Sequence, residues 1–377
     1  MEGPRAAPGA LVTVRRRWPV SAAAAVALLG AIAAWLGLGV EAVHDTTDAG
    51  LAVAAPPAEQ FLARYVAPDG RVVRRDQGGD VVSEGQAYAM LISATLGDRA
   101  TFGRVWRWTR AHLQAPTKLL ASRWTRGAVA DRHPAADADV DAAHALILAG
   151  RRFRDPALGR AGKQIAAAIL ARETVTTSLG PVLVAGPWAV RSRIVNPSYF
   201  SPTAFRALGR ATGDPRWGFL EFTSYRIVDH LTSRKPNVAP DWATVDRHGR
   251  ASPSGKTRRQ APVFGFEAIR VPIRMAASGT QYGRGLAARM WHFFSALDSR
   301  RIVAVYGLDG RPRTRAQDPG MYAAGAASAA AAGEPVPSRS LMARATALDA
   351  ATPTYYGGAW LALTDLVLSR AGGTGPV

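Results

Sequence analysis

The sequence predicts one all-α domain of about twelve helices, and three observations carry that prediction. Apolar residues recur at helical spacing along most of the chain, strand alternation is scarce, and each periodic segment ends at Gly, Pro or an Asp-rich turn. Tyr88, Leu91, Ile92 and Thr95 share one face, as do Phe102, Val105, Trp106 and Thr109, and then Val140, Ala143 and Ile147. Similar segments run around residues 58–66, 157–172, 199–211, 215–231, 264–278, 282–296, 317–332, 338–349 and 353–370. Twelve helices in one domain suggest six helical hairpins closed into a ring. A plain stack of helix pairs fits the pattern too, although no repeat of fixed period is visible.

The composition is that of a globular protein: of 377 residues 48% are hydrophobic and 20% charged, enough for a sizeable core. There is no cysteine, which excludes disulfides, thiolate metal sites and a cysteine nucleophile. The formal charge of +19 comes mostly from arginines scattered along the chain, without the basic runs and interleaved aromatics of a nucleic-acid surface, so no nucleic-acid partner is expected. Neither a phosphate loop nor a dinucleotide fingerprint is present, and no cofactor is expected. A monomer is expected.

The N-terminus carries its own signal. Arg15, Arg16 and Arg17 precede a stretch from Pro19 to Val40 with no charged residue, about the length that spans a bilayer as a helix. The arginines would stay in the cytoplasm and everything after Glu41 would lie outside, on the extracellular face of the membrane. A cleaved signal peptide, with a small-residue site near Ala42 or Ala55, is the competing reading and would give a secreted protein. Residues 1–43 thus form a tail plus anchor or signal helix, 44–57 a Pro-containing linker, and 58–377 the folded domain.

Two acidic segments carry chemistry. Ser83-Glu84-Gly85-Gln86 reads as a helix start, with Ser83 as N-cap and Gln86 reaching back to the Ser83 amide. Glu84 then lies in the first turn, where the amide dipoles favour its anion; to donate a proton near neutral pH it needs burial and a second carboxylate nearby. The second segment, Ala135 to Asp141, sets Asp137, Asp139 and Asp141 at alternate positions before an apolar helix, more acids than capping uses. A calcium loop is disfavoured, because Ala142 and Leu148 occupy the positions where such a loop needs Gly and Glu.

Here the chain resembles glycoside hydrolase family 8, the group of bacterial endoglucanases, chitosanases, xylanases and lichenases. Ser83-Glu84-Gly85-Gln86-Ala87-Tyr88-Ala89-Met90 is similar to the family's S-E-G-Q-x-Y-G-M segment, followed by Phe102 and Trp106-Arg107-Trp108-Thr109 in place of its F-x-x-L/V-W-x-W-T helix. Ala135 to Phe153 is similar to the signature A-S/T-D-A/G-D-x-x-I/M-A-x-A-L-I-x-A-x-x-x-F/W, with Ala136 and Ala142 as departures. Asn196-Pro197-Ser198-Tyr199-Phe200-Ser201-Pro202, Pro240-Asp241-Trp242, Phe264 to Pro272 and Tyr355-Tyr356 follow in the family's order, so the resemblance covers about residues 58–370.

The resemblance implies an (α/α)6 barrel and an inverting, endo-acting hydrolase of β-1,4-linked glucan, with a polysaccharide as partner. Glu84 would be the general acid, and Asp137 the acid that holds the sugar ring distorted at the cleavage point. The base is the Asp of a Y-D-A-x-R-V-P segment, which here reads Phe266-Glu267-Ala268-Ile269-Arg270-Val271-Pro272, making Glu267 the candidate base. Its extra methylene moves the oxygens by roughly 1.5 Å, where misplacement on the order of 1 Å can cost about a hundredfold, and Asp241 is the substitute. Trp124, Tyr199, Asp241, Arg270 and Tyr356 fall where the family binds glucan, whereas Trp106 and Trp108 are assigned to the core. The same machinery acting on xylan, lichenan or chitosan, or a degenerate glycan-binding protein, are the alternatives; the positive charge disfavours polycationic chitosan.

Overall fold

The computed structural model describes residues 56–371 apart from 256, 258 and 259, and within them lie twelve α-helices. In chain order they are α1 (Pro57–Tyr65), α2 (Ser83–Leu96), α3 (Arg99–His112), α4 (Ala136–Arg152), α5 (Pro156–Arg172), α6 (Pro202–Thr212), α7 (Arg216–Thr232), α8 (Arg270–Ala276), α9 (Gln281–Ser295), α10 (Pro319–Ala331), α11 (Pro335–Ala351) and α12 (Tyr355–Ala371). The even-numbered helices touch one another in sequence, α2 to α4 to α6 to α8 to α10 to α12, and α12 returns to α2. The odd-numbered helices pack outside this closed ring, α3 on α2, α5 on α4, α7 on α6, α9 on α8 and α10, α11 on α10, and α1 on α12. This arrangement fits an (α/α)6 barrel.

Composition explains which helices line the ring. α10, rich in Ala and Gly, is buried from Pro319 to Ala329, so small side chains on every face let its neighbours approach closely. α2 is likewise buried on all sides from Gly85 to Met90. An outer helix shows the one-sided pattern: α5 buries Ile165, Ala166, Ile169 and Leu170 while Arg160, Lys163 and Gln164 face water. Asp98, Asp155, Thr280 and Asp318 cap α3, α5, α9 and α10 by accepting amide hydrogen bonds at 2.8–3.0 Å. Gly97 and Gly213, both left-handed, end α2 and α6.

Among the described residues the ten strands are only two to four residues long, too short to register as alternation: β1 (Val81–Val82), β2 (Arg123–Thr125), β3 (Ala128–Asp131), β4 (Thr174–Thr177), β5 (Gly180–Leu183), β6 (Ile194–Val195), β7 (Trp242–Val245), β8 (Ala251–Ser254), β9 (Val263–Phe264) and β10 (Tyr306–Gly307). They pair antiparallel as β1-β2-β3, β4-β5, β6-β7-β8 and β9-β10. Every strand lies in a connection leading from an outer helix to the next inner one, whereas the return connections, such as 97–98 and 153–155, are tight turns. The long connections therefore gather at the N-terminal ends of the inner helices.

Three expectations need correction. Ser83 is the first helical residue, with Val82 at the cap and no side-chain cap. Strand β1 runs straight into α2, and the Ser83 amide donates to the Ser122 carbonyl at 3.0 Å. Gln86 turns into the core instead of reaching back, accepting from the Val72 amide at 2.5 Å and donating to Thr109 Oγ1 at 2.8 Å. The segments expected at 199–211 and 264–278 begin as helices only at Pro202 and Arg270, after turns that carry functional side chains. The candidate span from Pro19 to Val40 and nearly all of the linker lie outside the described residues. Among the described residues no helix is long and apolar enough to cross a membrane.

The α4–α5 contact is backbone-close at Gly150, where a Cβ would sit 2.8 Å from the Gly159 nitrogen and 3.2 Å from the Asp155 carbonyl oxygen. Gly150→Ala gains about 1 kcal/mol of helix propensity but must push two backbones apart at about 1–3 kcal/mol. Net destabilisation is expected; an unchanged or raised urea midpoint would contradict the close approach.

Candidate active site

Five of the six inner helices deliver candidate side chains from their first turn, or from the residues just before it, to the end where the long connections meet. α2 brings Glu84, α4 brings Asp137, the segment before α6 brings Asn196 and Tyr199, the turn before α8 brings Glu267 and the first residue of α8 is Arg270, and α12 brings Tyr355 and Tyr356. The hub is Arg270, with 0% of its surface exposed. Its Nη1 donates to Asp137 Oδ2 at 2.6 Å and to Tyr88 Oη at 3.2 Å, and its Nη2 donates to Glu267 Oε2. Tyr199 lies with its ring 5.0 Å from the guanidinium carbon and Trp360 at 5.9 Å. One turn further along α8, Arg274 meets Asp141 in two hydrogen bonds of 2.9 and 2.7 Å.

Glu84 stands beside this hub, only partly exposed. Its carboxyl is pushed up to about 8, first by burial and then by the Asp137 charge, against the pull of Arg270. Both conditions required to overcome the helix dipole are therefore met. The residue after it is glycine for a steric reason: a Cβ at Gly85 would run into the hydroxyl of buried Tyr355.

The turn carrying Glu267 is tied down from two sides. Asp241 Oδ1 accepts the amides of Gly265 and Ala268 at 2.8 and 2.9 Å, and a Cβ at Gly265 would approach Asp241 Oδ2 to 2.9 Å. Asp241 is itself pushed up to about 6, chiefly by burial, with Glu267 adding to it. Glu267 keeps 33% of its side chain exposed and accepts from Asn196 Nδ2 at 2.9 Å as well as from Arg270. Asn196 is oriented by Ser198, whose amide and hydroxyl both donate to Asn196 Oδ1, at 3.0 and 2.7 Å.

Of the sequence candidates, Glu84, Asp137, Glu267, Asp241, Arg270, Tyr199 and Tyr356 come together here; the Tyr356 hydroxyl donates to the Phe266 carbonyl. Trp124 does not join them by contact. It sits on β2 opposite Val81 and packs on Trp108, His112 and Arg71. Trp106 and Trp108 are buried, as assigned. Asn196, Tyr88, Trp360 and Arg274 were not singled out as site residues by sequence; the N-P-S-Y and S-E-G-Q-A-Y segments contained the signal for Asn196 and Tyr88. Trp188, 40% exposed, is linked through Trp242 to Tyr199 at ring distances of 6.5 and 6.1 Å, and Phe266, 46% exposed and adjacent in sequence to Glu267, lies 6.2 Å from Tyr356.

Residues 44–369 match the model of glycosyl hydrolases family 8. The chain belongs to that family. A probable endoglucanase from Novacetimonas hansenii is 34% identical over 247 residues, 63% of this chain and 71% of that protein. An endoglucanase from Cellulomonas uda is 28% identical over 222 residues, 57% of this chain and 61% of that one. Among family 8 folds, the endo-β-1,4-glucanase from Acetobacter xylinum superposes with a TM-score of 0.70 at 27% identity, covering 83% of this chain and 98% of its own. Family 8 membership makes the chain a glycoside hydrolase.

Removing one partner of a buried ion pair strands the other charge. Arg274→Ala should cost about 3–5 kcal/mol, and Asp141→Leu added to it should recover much of that loss. Urea midpoints of the single and double variants test this; equal losses for both would show that Asp141 is not held by charge pairing.

Proposed function

We propose that the protein is an inverting endo-β-1,4-glucanase in which Glu84 is the general acid and Glu267 the base. The observation that carries this reading is the contrast between two carboxyls of one cluster. Glu84 is raised so that it still holds a proton near neutral pH, while Glu267 accepts from Arg270 and Asn196. Inversion requires such a pair, one to protonate the leaving oxygen and the other to draw a proton from the attacking water.

Asp137 suits the role of holding the ring at the cleavage point. Its Oδ2 is bound by Arg270, and its Oδ1 is buried with no partner among the described residues, leaving one acceptor for a sugar hydroxyl. Trp188 and Phe266 offer exposed rings for pyranose stacking. For the base, Asp241 is the weaker candidate, because its Oδ1 is committed to two backbone amides. A glucan substrate is supported by the endoglucanase names of the relatives. The apolar stretch behind Arg15–Arg17 supports action on the outer side of a membrane, by an anchored or secreted enzyme.

Glu84→Gln should remove at least about 99% of the release of reducing sugar from soluble cellulose derivatives while the thermal midpoint stays near wild type. Glycan binding without turnover in the wild-type protein would sink the enzyme reading. Since the acid must be protonated to act, kcat/KM should fall above about pH 8, where Glu84 ionises. The first product should be the α anomer by NMR; a β anomer rules out inversion.

Glu267→Ala should lose most activity and regain part of it with azide, a small anion that can stand in for a missing base. Near-wild-type activity of Glu267→Ala would move the role to another carboxyl.

A further inference from the structure

The acid cluster that opens α4 leaves one member without a place in this chemistry. Asp137 and Asp141 each face an arginine, and Asp139 does not. Asp139 Oδ1 accepts the Leu120 amide at 2.8 Å. The side chains of Asp139 and Glu173, the residue that closes α5, lie within hydrogen-bonding reach of each other. Both residues are 0% exposed. Asp139 Oδ2 and both carboxyl oxygens of Glu173 have no donor among the described residues.

Two bare carboxylates side by side in the interior would each lack hydration and repel the other. The surrounding cations are engaged elsewhere or turned to water: Arg270 and Arg274 of α8 hold Asp137 and Asp141, Arg123 of β2 holds Asp80, and Lys118 and Arg172 are exposed. Asp137 is the other charged group acting on both carboxyls, and it opposes their ionisation. One proton between the carboxyls turns this repulsion into a charge-assisted hydrogen bond.

We propose that Glu173 is the neutral donor and Asp139 the carboxylate of a buried pair sharing one proton, and that this bond positions the first turn of α4, and with it Asp137. The helix ends set the direction of the bond. Asp139 lies in the first turn of α4 and receives an amide, where the dipole favours the anion. Glu173 lies at the carbonyl end of α5, where the dipole favours the protonated form. Together with the Leu120 contact, the pair joins α4, α5 and the loop before β2 just behind the site. Glu173 and Asp139 are therefore positioning residues.

The proton has a thermodynamic signature. Burial raises both carboxyls well above their ordinary range, so the folded chain keeps a proton that the unfolded chain releases above about pH 4.3. Folding takes up that proton, and its contribution to stability declines as pH rises from there towards the folded-state value. Glu173→Gln supplies an amide donor in the same place with no proton to lose.

Thermal midpoints of the full chain should show Glu173→Gln gaining on wild type by a margin that widens between about pH 5 and pH 9. A margin that stays constant with pH overturns the shared proton. Turnover gives the second readout: Glu173→Ala should lower kcat about tenfold or more with KM nearly unchanged, and Glu173→Gln should restore it to within about twofold of wild type. Wild-type turnover in Glu173→Ala overturns the positioning role, and if that variant fails to fold, the comparison of Glu173→Gln with wild type still decides the proton. The positioning of Asp137 matters to catalysis only under the proposed function, whereas the proton linkage is read without any substrate, so the failure of one is distinguishable from the failure of the other.

Discussion

A guanidinium with no exposed surface governs this molecule. Arg270 has lost its hydration entirely, and a charge so placed is tolerable only if its donors are met by well-aligned acceptors. The acceptors come from separate parts of the ring: Asp137 from α4, Tyr88 from α2 and Glu267 from the turn before α8. Closing the barrel and assembling the site are consequently one event. The Arg274–Asp141 pair repeats the same α8-to-α4 link one turn deeper, so that two parallel ion pairs fix the rotation of one helix against the other.

The second organising fact is direction. All six inner helices present their N-terminal ends to the same opening, and amide dipoles there favour anions. A carboxyl that keeps its proton there works against that field. Glu84 manages it through desolvation and the neighbouring charge of Asp137, which together outweigh both the dipole and Arg270. Glu267 precedes its helix on a turn held by Asp241 and faces two donors.

Much of the fold could be read from sequence because helical periodicity is a local property, and the twelve segments recur as twelve helices. What could not be read is non-local. The short strands owe their existence to partners distant in sequence, as when Val81 meets Trp124, and two to four residues carry no period. Ser83 looked like a cap because capping signals are judged within four residues, while the hydrogen bond that supersedes it comes from Ser122. In the site, acids were legible from their clustering and the ordered motifs. Arg274 and Glu173 were not, since an isolated Arg or Glu carries no sign of being buried until its partner across the fold is known. Trp124 shows the same non-locality: its motif position gives no hint that its ring packs on Trp108 and His112.

The unequal connections divide the molecule in a further way. Two- to four-residue turns at one end leave no slack, so any insertion there would have to be absorbed by the ring itself. At the other end the polypeptide already departs into hairpins and small sheets before each inner helix begins, and added residues would extend outward without altering the circumference. Such a molecule can diversify what it holds while conserving how it stands.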